Sequence, residues 1–359
     1  MNDVLKPASL AELVDAVRST PRVLALGGGT KPRLSADADS VPLSMAGLTG
    51  IVEYEPDEFI FTARAGTPVR DLIAVLAERG QYLPWDPPLV EAGATLGGTV
   101  AAGLSGPGRF RFGGVRDFIL GVRFVDGMGR LLRLGGKVVK NAAGFDVPKF
   151  FCGSLGRFGV MGEITFKVFP RPASTVTLRL RAGSPEERLR ILTRVGRSRW
   201  EPDALEGAPE SCDAWVRLAG PVEALAEMER EILTQFPGES VGEAETVWRG
   251  LREFQWAHAN GVLVKVPVTP ADTVSLARNL SAIPGLRHQV GAGGNLAWVS
   301  LPSASEASAL NSVLSEQGLE GLTLRGDTPL WWSRKPRPVI ESAVKRALDP
   351  VHRFPSLDT

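Results

Sequence analysis

At 359 residues the chain exceeds the roughly 250–300 residues that one hydrophobic core usually serves, so two domains are expected. Its 41 basic and 40 acidic side chains leave a net charge of +1, which argues against nucleic acid or an anionic membrane as the main partner; Arg109, Arg111 and Arg116 cluster only locally. Two cysteines outside any CxxC pair (Cys152, Cys212) and three histidines without a shared motif (His258, His288, His352) leave zinc, iron–sulfur and Ser/His/Asp chemistry unsupported.

The N-terminus lacks a basic segment followed by an apolar run, and no apolar stretch approaches the roughly 20 residues that span a bilayer. A reduced, cytoplasmic protein is expected, with any membrane attachment made through a partner. Ser9 and Glu12 open a first helix with Leu10, Leu13, Val14 and Val17 on one face. Residues 22–26 read as a short buried strand that runs into Gly27-Gly28-Gly29-Thr30-Lys31. Residues 58–65 form a second strand, and Thr67-Pro68 opens a helix stopped by Gly80, with the threonine as cap. Residues 81–118 are rich in glycine and proline and read as irregular, which inside a compact domain is usually functional. A hairpin over 120–134 turns at Asp126–Gly129, and a second glycine-rich stretch, 135–162, ends in a strand over 163–169. After Pro170-Arg171-Pro172 the rhythm becomes regular: strands near 175–180, 214–218, 262–266, 296–301 and 322–324, with helices between them and a last helix near 337–347. This pattern implies two strand–helix–strand units sharing one antiparallel sheet.

Three blocks carry the chemistry. In the first, the glycines of 27–29 can bend the backbone and turn N–H groups into one concavity suited to a diphosphate. It matches neither the G-x-G-x-x-G fingerprint nor a P-loop, and alone it reads equally well as a turn. The second is Pro84-Trp-Asp-Pro-Pro88, then Gly93-Ala-Thr-Leu-Gly-Gly-Thr-Val-Ala-Ala-Gly103 and Gly113-Gly114; its small residues admit a flat ligand, and its Leu96 and Val100 make it too apolar for a solvated loop. The third is Lys137-Val-Val-Lys140-Asn-Ala-Ala-Gly-Phe-Asp146 with Gly153-Ser-Leu-Gly-Arg-Phe-Gly-Val160. Either lysine can offset negative charge that develops on a bound ring system, or be an ordinary exposed lysine.

Taken in order, LALGGGTK, PWDPP, GATLGGTVAAGLSGPGRFRFGGVRDF, KNAAGFD and GSLGRFGVMGEITF resemble the FAD-binding domain of the vanillyl-alcohol-oxidase (PCMH) type flavoproteins. Within that group the sequence is similar to the FAD-binding subunits of glycolate oxidase. The resemblance spans most of residues 1–172; beyond them it rests on spacing and on Leu348-Asp349-Pro350. It implies an α+β fold: a two-lobed PCMH-type FAD-binding domain over 1–172, a ferredoxin-like α+β domain over 173–330 and a segment, 331–359, that returns to the first domain. It implies that Gly27, Gly28, Gly29, Thr30 and Lys31 hold the FAD diphosphate. Pro87, Pro88, Thr95, Gly97, Gly98 and Gly103 would line the flavin and ribityl path, with Lys140, Asn141, Gly144 and Asp146 beside them. Gly159, Val160 and Ile164 would meet the adenosine end or close the loop over the cofactor. No histidine or cysteine stands in the first two blocks, so non-covalent FAD is expected.

Two departures bear on activity. Phe145 replaces a tyrosine frequent after the glycine, which removes a hydroxyl. The related catalytic subunits are expected to carry histidines around a Gly-Asp-Gly-Asn core, whereas this chain reads Val290-Gly-Ala-Gly-Gly-Asn-Leu-Ala297. Catalytic residues are therefore unassigned, and no metal is expected. The resemblance implies a subunit of a 2-hydroxy acid (glycolate) oxidase complex, relaying electrons or completing the assembly, alongside a second flavoprotein subunit that does the substrate chemistry and an iron–sulfur subunit. A stand-alone FAD dehydrogenase and a scaffold with a vestigial flavin site remain open alternatives. His288 reads as a surface or loop histidine, His258 as a core or partner contact, and Trp331-Trp332 as an interface or packing pair.

Overall fold

The computed structural model describes residues 4–136, 147–335 and 339–356. They fall into two units: 4–105, 114–171 and 339–356 form the first, and 106–113 with 172–335 form the second.

In the first unit, helix Leu10–Ser19 starts where Ser9 Oγ accepts the Glu12 N–H at 3.2 Å and Glu12 returns a carboxylate oxygen to the Ala8 N–H at 3.0 Å. Leu13 and Val17 are its buried face. Strand β1 (Val23–Leu26) pairs in parallel with β2 (Val41–Ser44), and the triple glycine leaves the end of β1. The larger sheet comprises β3 (Ile51–Glu55), β4 (Ile60–Arg64), β6 (Ile119–Val125), β7 (Leu131–Gly135) and β8 (Val160–Lys167) in the order β3-β4-β8-β6-β7, all antiparallel; β5 (Gln81–Tyr82) pairs separately with β9 (Phe169–Pro170). β8 is central, and all of its residues but Lys167 are buried, so it shows no polar alternation. Phe61 and Phe166 stack behind this sheet at 5.9 Å, with Trp85 fully buried beside them.

Two expectations need correction here. Thr67 does not cap helix Val69–Glu78: its hydroxyl donates to Arg64 O at 2.6 Å and accepts the Gly50 N–H at 3.0 Å, and Pro68 holds the cap position. The stretch 81–118 is not irregular throughout. Thr95 caps a helix over Leu96–Ala102, accepting the Gly98 N–H at 3.3 Å, and Gly103 closes it at φ +59°.

The second unit holds two sheets rather than one shared sheet. The first has β10 (Ser174–Leu180), β11 (Ala204–Gly207), β12 (Ala214–Gly220) and β13 (Gly238–Ser240) in the order β11-β12-β10-β13. The second has β14 (Val262–Pro267), β15 (Arg287–Gly291), β16 (Leu296–Leu301), β17 (Gly321–Arg325) and β18 (Trp331–Trp332) in the order β15-β16-β14-β17-β18. Each half runs strand, helix, strand, strand, helix, strand, so the ferredoxin-like topology occurs twice. Helices Pro185–Gly196 and Val222–Gln235 cover the first sheet, and Thr273–Ser281 and Ala307–Glu316 the second. The expectation of a single sheet failed because β11 and β15, which fell between the strongest apolar runs, end both sheets with side-chain bonds instead of a ladder. Gln289 Nε2 donates to Glu206 Oε2 at 2.7 Å and to Gly207 O at 3.2 Å. Residues 106–113 belong to this unit through Phe110, which packs against the first half's core. Trp332 is core rather than interface, 2% exposed, with its indole N–H donating to Thr323 Oγ1 at 2.7 Å.

Candidate functional site

The first unit contains a cleft that is open to solvent. One wall is Gly27–Lys31, leaving β1; the opposite wall is Thr95, Gly97 and Gly98 at the start of helix Leu96–Ala102; Gly156 and Gly159 close the third side. The walls meet because they lack side chains. A Cβ on Gly28 would stand 1.9 Å from Gly93 O, and one on Gly27 would stand 2.4 Å from Thr95 Oγ1. A Cβ on Gly97 would press on Ala65, whose carbonyl accepts the Gly97 N–H at 2.7 Å. The loop after residue 152 docks onto the same helix, Gly153 N–H to Val100 O at 3.0 Å and Leu155 N–H to Ala101 O at 2.9 Å. Leu155 and Gly156 are both left-handed, at φ +52° and +72°.

The electrostatics of the cleft are set by Lys31. The three glycines are exposed, and among the described residues their N–H groups make no hydrogen bond. Lys31 is only 8% exposed, and its ammonium donates to one oxygen, Thr30 Oγ1, at 2.8 Å. Burial presses its pKa down to about 8. A buried cation beside bare main-chain donors, with no carboxylate near it among the described residues, calls for an anion. Neither histidine nor cysteine lines the cleft among the described residues.

The expected site residues divide as follows. Gly27, Gly28, Gly29, Thr30, Lys31, Thr95, Gly97, Gly98 and Gly159 line the cleft. Gly103 does not; it ends the helix beside Gly153, whose N would stand 3.1 Å from a Cβ there. Pro87 and Pro88 are buried in the turn after β5, and Val160 and Ile164 are buried in β8, all outside the lining. Lys140, Asn141, Gly144 and Asp146, with Lys137 and Phe145, lie outside the described residues. Sequence reasoning missed Met45, Ala65, Leu155 and Met161 in the lining. The one available signal was Gly66, whose Cβ would strike Met45 O at 1.9 Å and which therefore marks close packing there.

In the second unit the Gly291–Asn295 segment forms a tight turn between β15 and β16. Ala292 takes φ +52° and donates its N–H to Glu206 Oε1 at 2.8 Å, and Asn295 Nδ2 closes the turn on Ala292 O at 2.9 Å. His288 is not a loop residue: it stands on β15 opposite Val299, where burial first and Arg188 second press its pKa to about 4. It is therefore neutral at physiological pH. His258 rests in a loop with Nε2 at 2.8 Å from Gly285 O. No cluster of metal-ligating side chains occurs among the described residues.

Comparison with known proteins supplies the family. Residues 2–135 match the family described as FAD binding domain. The whole fold superposes on an alkyldihydroxyacetonephosphate synthase with a TM-score of 0.74 at 16% identity, covering 97% of this chain and 76% of that one. Fold and family match thus define a flavoprotein with the two-lobed PCMH-type FAD-binding fold. The chain is also 34% identical to glycolate oxidase subunit GlcE of Escherichia coli over 314 residues, 87% of this chain and 84% of that protein. It is 29% identical to glycolate oxidase subunit GlcD of Bacillus subtilis over 153 residues, which covers 43% of this chain and 32% of that protein. The chain belongs to the glycolate oxidase subunit GlcE family.

Proposed function

We propose that this protein is the FAD-holding subunit of a complex that oxidises glycolate or a related 2-hydroxy acid, and that it relays electrons or completes the assembly rather than attacking the substrate. The observation that carries the reading is Lys31, a buried ammonium beside three glycine N–H groups that are unbonded among the described residues in the first-unit cleft. This donor set fits a diphosphate: N–H groups for its oxygens, one positive charge, and no side chain in the way. Thr95, Gly97 and Gly98 keep the opposite wall low enough for a flat ring. When bound, FAD supplies an acceptor for two electrons that can be passed on one at a time. Among the described residues no histidine or cysteine stands on the lining, which supports non-covalent binding.

The assignment of substrate chemistry to another subunit rests on the second unit. The stretch Val290–Ala297, where the related catalytic subunits are expected to carry histidines, offers no proton acceptor, and His288 on the neighbouring strand is half-buried and neutral. Partners of the kinds found in such a complex, a second flavoprotein subunit and an iron–sulfur subunit, would then provide the proton acceptor and the electron exit. Among the described residues no helix is long and apolar enough to cross a membrane, which is consistent with attachment through those partners.

The test is a visible spectrum of the purified protein before and after acid precipitation. Yellow colour that moves into the supernatant is the expected result. A protein that stays colourless after incubation with FAD overturns the cofactor reading, and reduction of the isolated protein's flavin by a hydroxy acid overturns the division of labour.

A further inference from the structure

The C-terminal helix Val339–Leu348 is built inside out. Its apolar Val339 and Ile340 are 83% and 70% exposed, while the one buried residue along it is Lys345. Apolar burial therefore does little to hold this helix on the first unit, and its attachment is polar. Lys345 Nζ donates to Asp349 Oδ2 and to Arg157 O, each at 2.6 Å, and to Phe354 O and Pro355 O, each at 3.1 Å. Asp349 is fully buried and accepts the N–H groups of Arg353 at 2.8 Å and Phe354 at 3.0 Å. A Cβ on Gly127 would stand 2.2 Å from Asp349 Oδ1, so the hairpin turn after β6 also closes on this carboxylate.

Both ends of this clasp lead to the cleft. Arg157, whose carbonyl Lys345 holds, is 1% exposed and donates Nη1 to Leu34 O at 3.0 Å and Leu155 O at 2.5 Å, and both leucines line the cleft. Arg353, held by Asp349, accepts the N–H of Val23 on its carbonyl at 2.8 Å, and Val23 is the first residue of the strand that delivers the triple glycine. Arg353 is fixed in turn by Nε to Gly127 O at 2.8 Å and Nη1 to Thr20 O at 2.6 Å.

We infer that Lys345 and Asp349 are positioning residues for cofactor binding: they lock the C-terminal segment so that it sets the spacing between the triple-glycine wall and the 155–159 wall of the cleft. The inference rests on the assignment of FAD to that cleft. Loosening the clasp lets the walls drift apart and lowers affinity for FAD without removing any group that would touch it. Binding in turn tightens the tail, since the two are linked through one hydrogen-bonded path.

The test measures the FAD dissociation constant by flavin fluorescence on deflavinated protein, below the melting midpoint of each variant. Asp349→Asn is expected to weaken binding about tenfold or more. Asp203→Asn, which breaks an equally buried ion pair with Arg217 in the second unit, should lower the melting temperature and leave the dissociation constant unchanged. Wild-type affinity in Asp349→Asn, or an equal loss in Asp203→Asn, overturns the inference. If Asp349→Asn does not fold, hydrogen exchange on the wild type decides: FAD should slow exchange at residues 349–356, and exchange there that ignores FAD overturns it. A wild type that takes up no FAD at all would instead refute the cofactor reading on which the inference stands.

Discussion

Two glycine turns that follow a strand, one in each unit, do opposite things. Gly27–Lys31 leaves β1 with three exposed N–H groups that are bare among the described residues and a buried ammonium whose one partner there is a hydroxyl. Gly291–Asn295 leaves β15 with its first amide taken by Glu206 and a carbonyl taken by Asn295, and with the Phe110 ring so close to Gly293 that a Cβ there would stand 2.4 Å from it. In composition the two runs are alike. They differ in how far their donors are spent: the Ala292 and Asn295 amides are bonded inside the protein, whereas among the described residues none of the three glycine amides of 27–29 is. A fully unspent row of donors suits a ligand, and a partly spent one, tied to the neighbouring sheet, suits a joint.

Substitution at the glycines should separate the two turns most sharply. Gly28→Ala drives a Cβ into Gly93 O, a backbone atom that cannot swing away. Overpacking of this kind costs about 1–3 kcal/mol or more and here falls on the cleft wall itself, so FAD affinity should drop about 100-fold. Gly293→Ala, strained at φ +65° and crowded by Phe110, should lower the melting temperature while FAD affinity holds. Equal losses of affinity in both, read by fluorescence titration, would erase the distinction.

Lys31→Met comes next. Loss of a hydrogen-bonded charge facing the diphosphate removes about 1.5–3 kcal/mol of binding, a 10- to 100-fold rise in the dissociation constant. The apoprotein should be no less stable, because an unneutralised buried cation has gone. Calorimetry with and without FAD reads both quantities.

The pH dependence follows from the same residue. Free Lys31 sits near pKa 8, and a bound diphosphate raises that value, so the complex keeps a proton that the free protein loses. FAD affinity should be flat below pH 8 and fall as pH climbs above it, by at most about tenfold per unit, and Lys31→Met should flatten the profile. For folding of the apoprotein the sign is reversed. The folded value lies below the unfolded 10.5, so charged Lys31 opposes folding below pH 8, and that cost fades between pH 8 and 10.5.

The smallest effect is expected at the closed turn. Glu206→Gln weakens the bonds to Gln289 and Ala292 and should lower stability by about 1–3 kcal/mol with no change in FAD binding. A change in FAD affinity would show that the second turn is not merely a joint.

Local chemistry made much of this legible. Ser9 with Glu12 and the strand near 175–180 carry their signals within a few residues, and those elements form where their sequences say. Helix Leu96–Ala102 was hidden because Gly97 and Gly98 lower helix propensity; contact with Ala65, which only glycine permits, outweighs it. The buried lysine of Val339–Leu348 was hidden for the complementary reason. Its pattern reads as amphipathic, and nothing in it tells that four oxygens from residues 157, 349, 354 and 355 would turn Lys345 inward.

By itself the sequence determined which segments can bend, pair and coil, and that three small-residue blocks lie in an order suited to a flavin, because those properties depend on side-chain size and on neighbours a few positions away. Tertiary structure decided which blocks face one another and which donors are left over. It placed Thr95, Gly97 and Gly98 opposite the triple glycine, left Pro87, Val160 and Ile164 outside the lining, and buried Lys31 without a counter-charge among the described residues. Those outcomes depend on atoms that meet across tens or hundreds of residues of chain, where no short pattern records the distance.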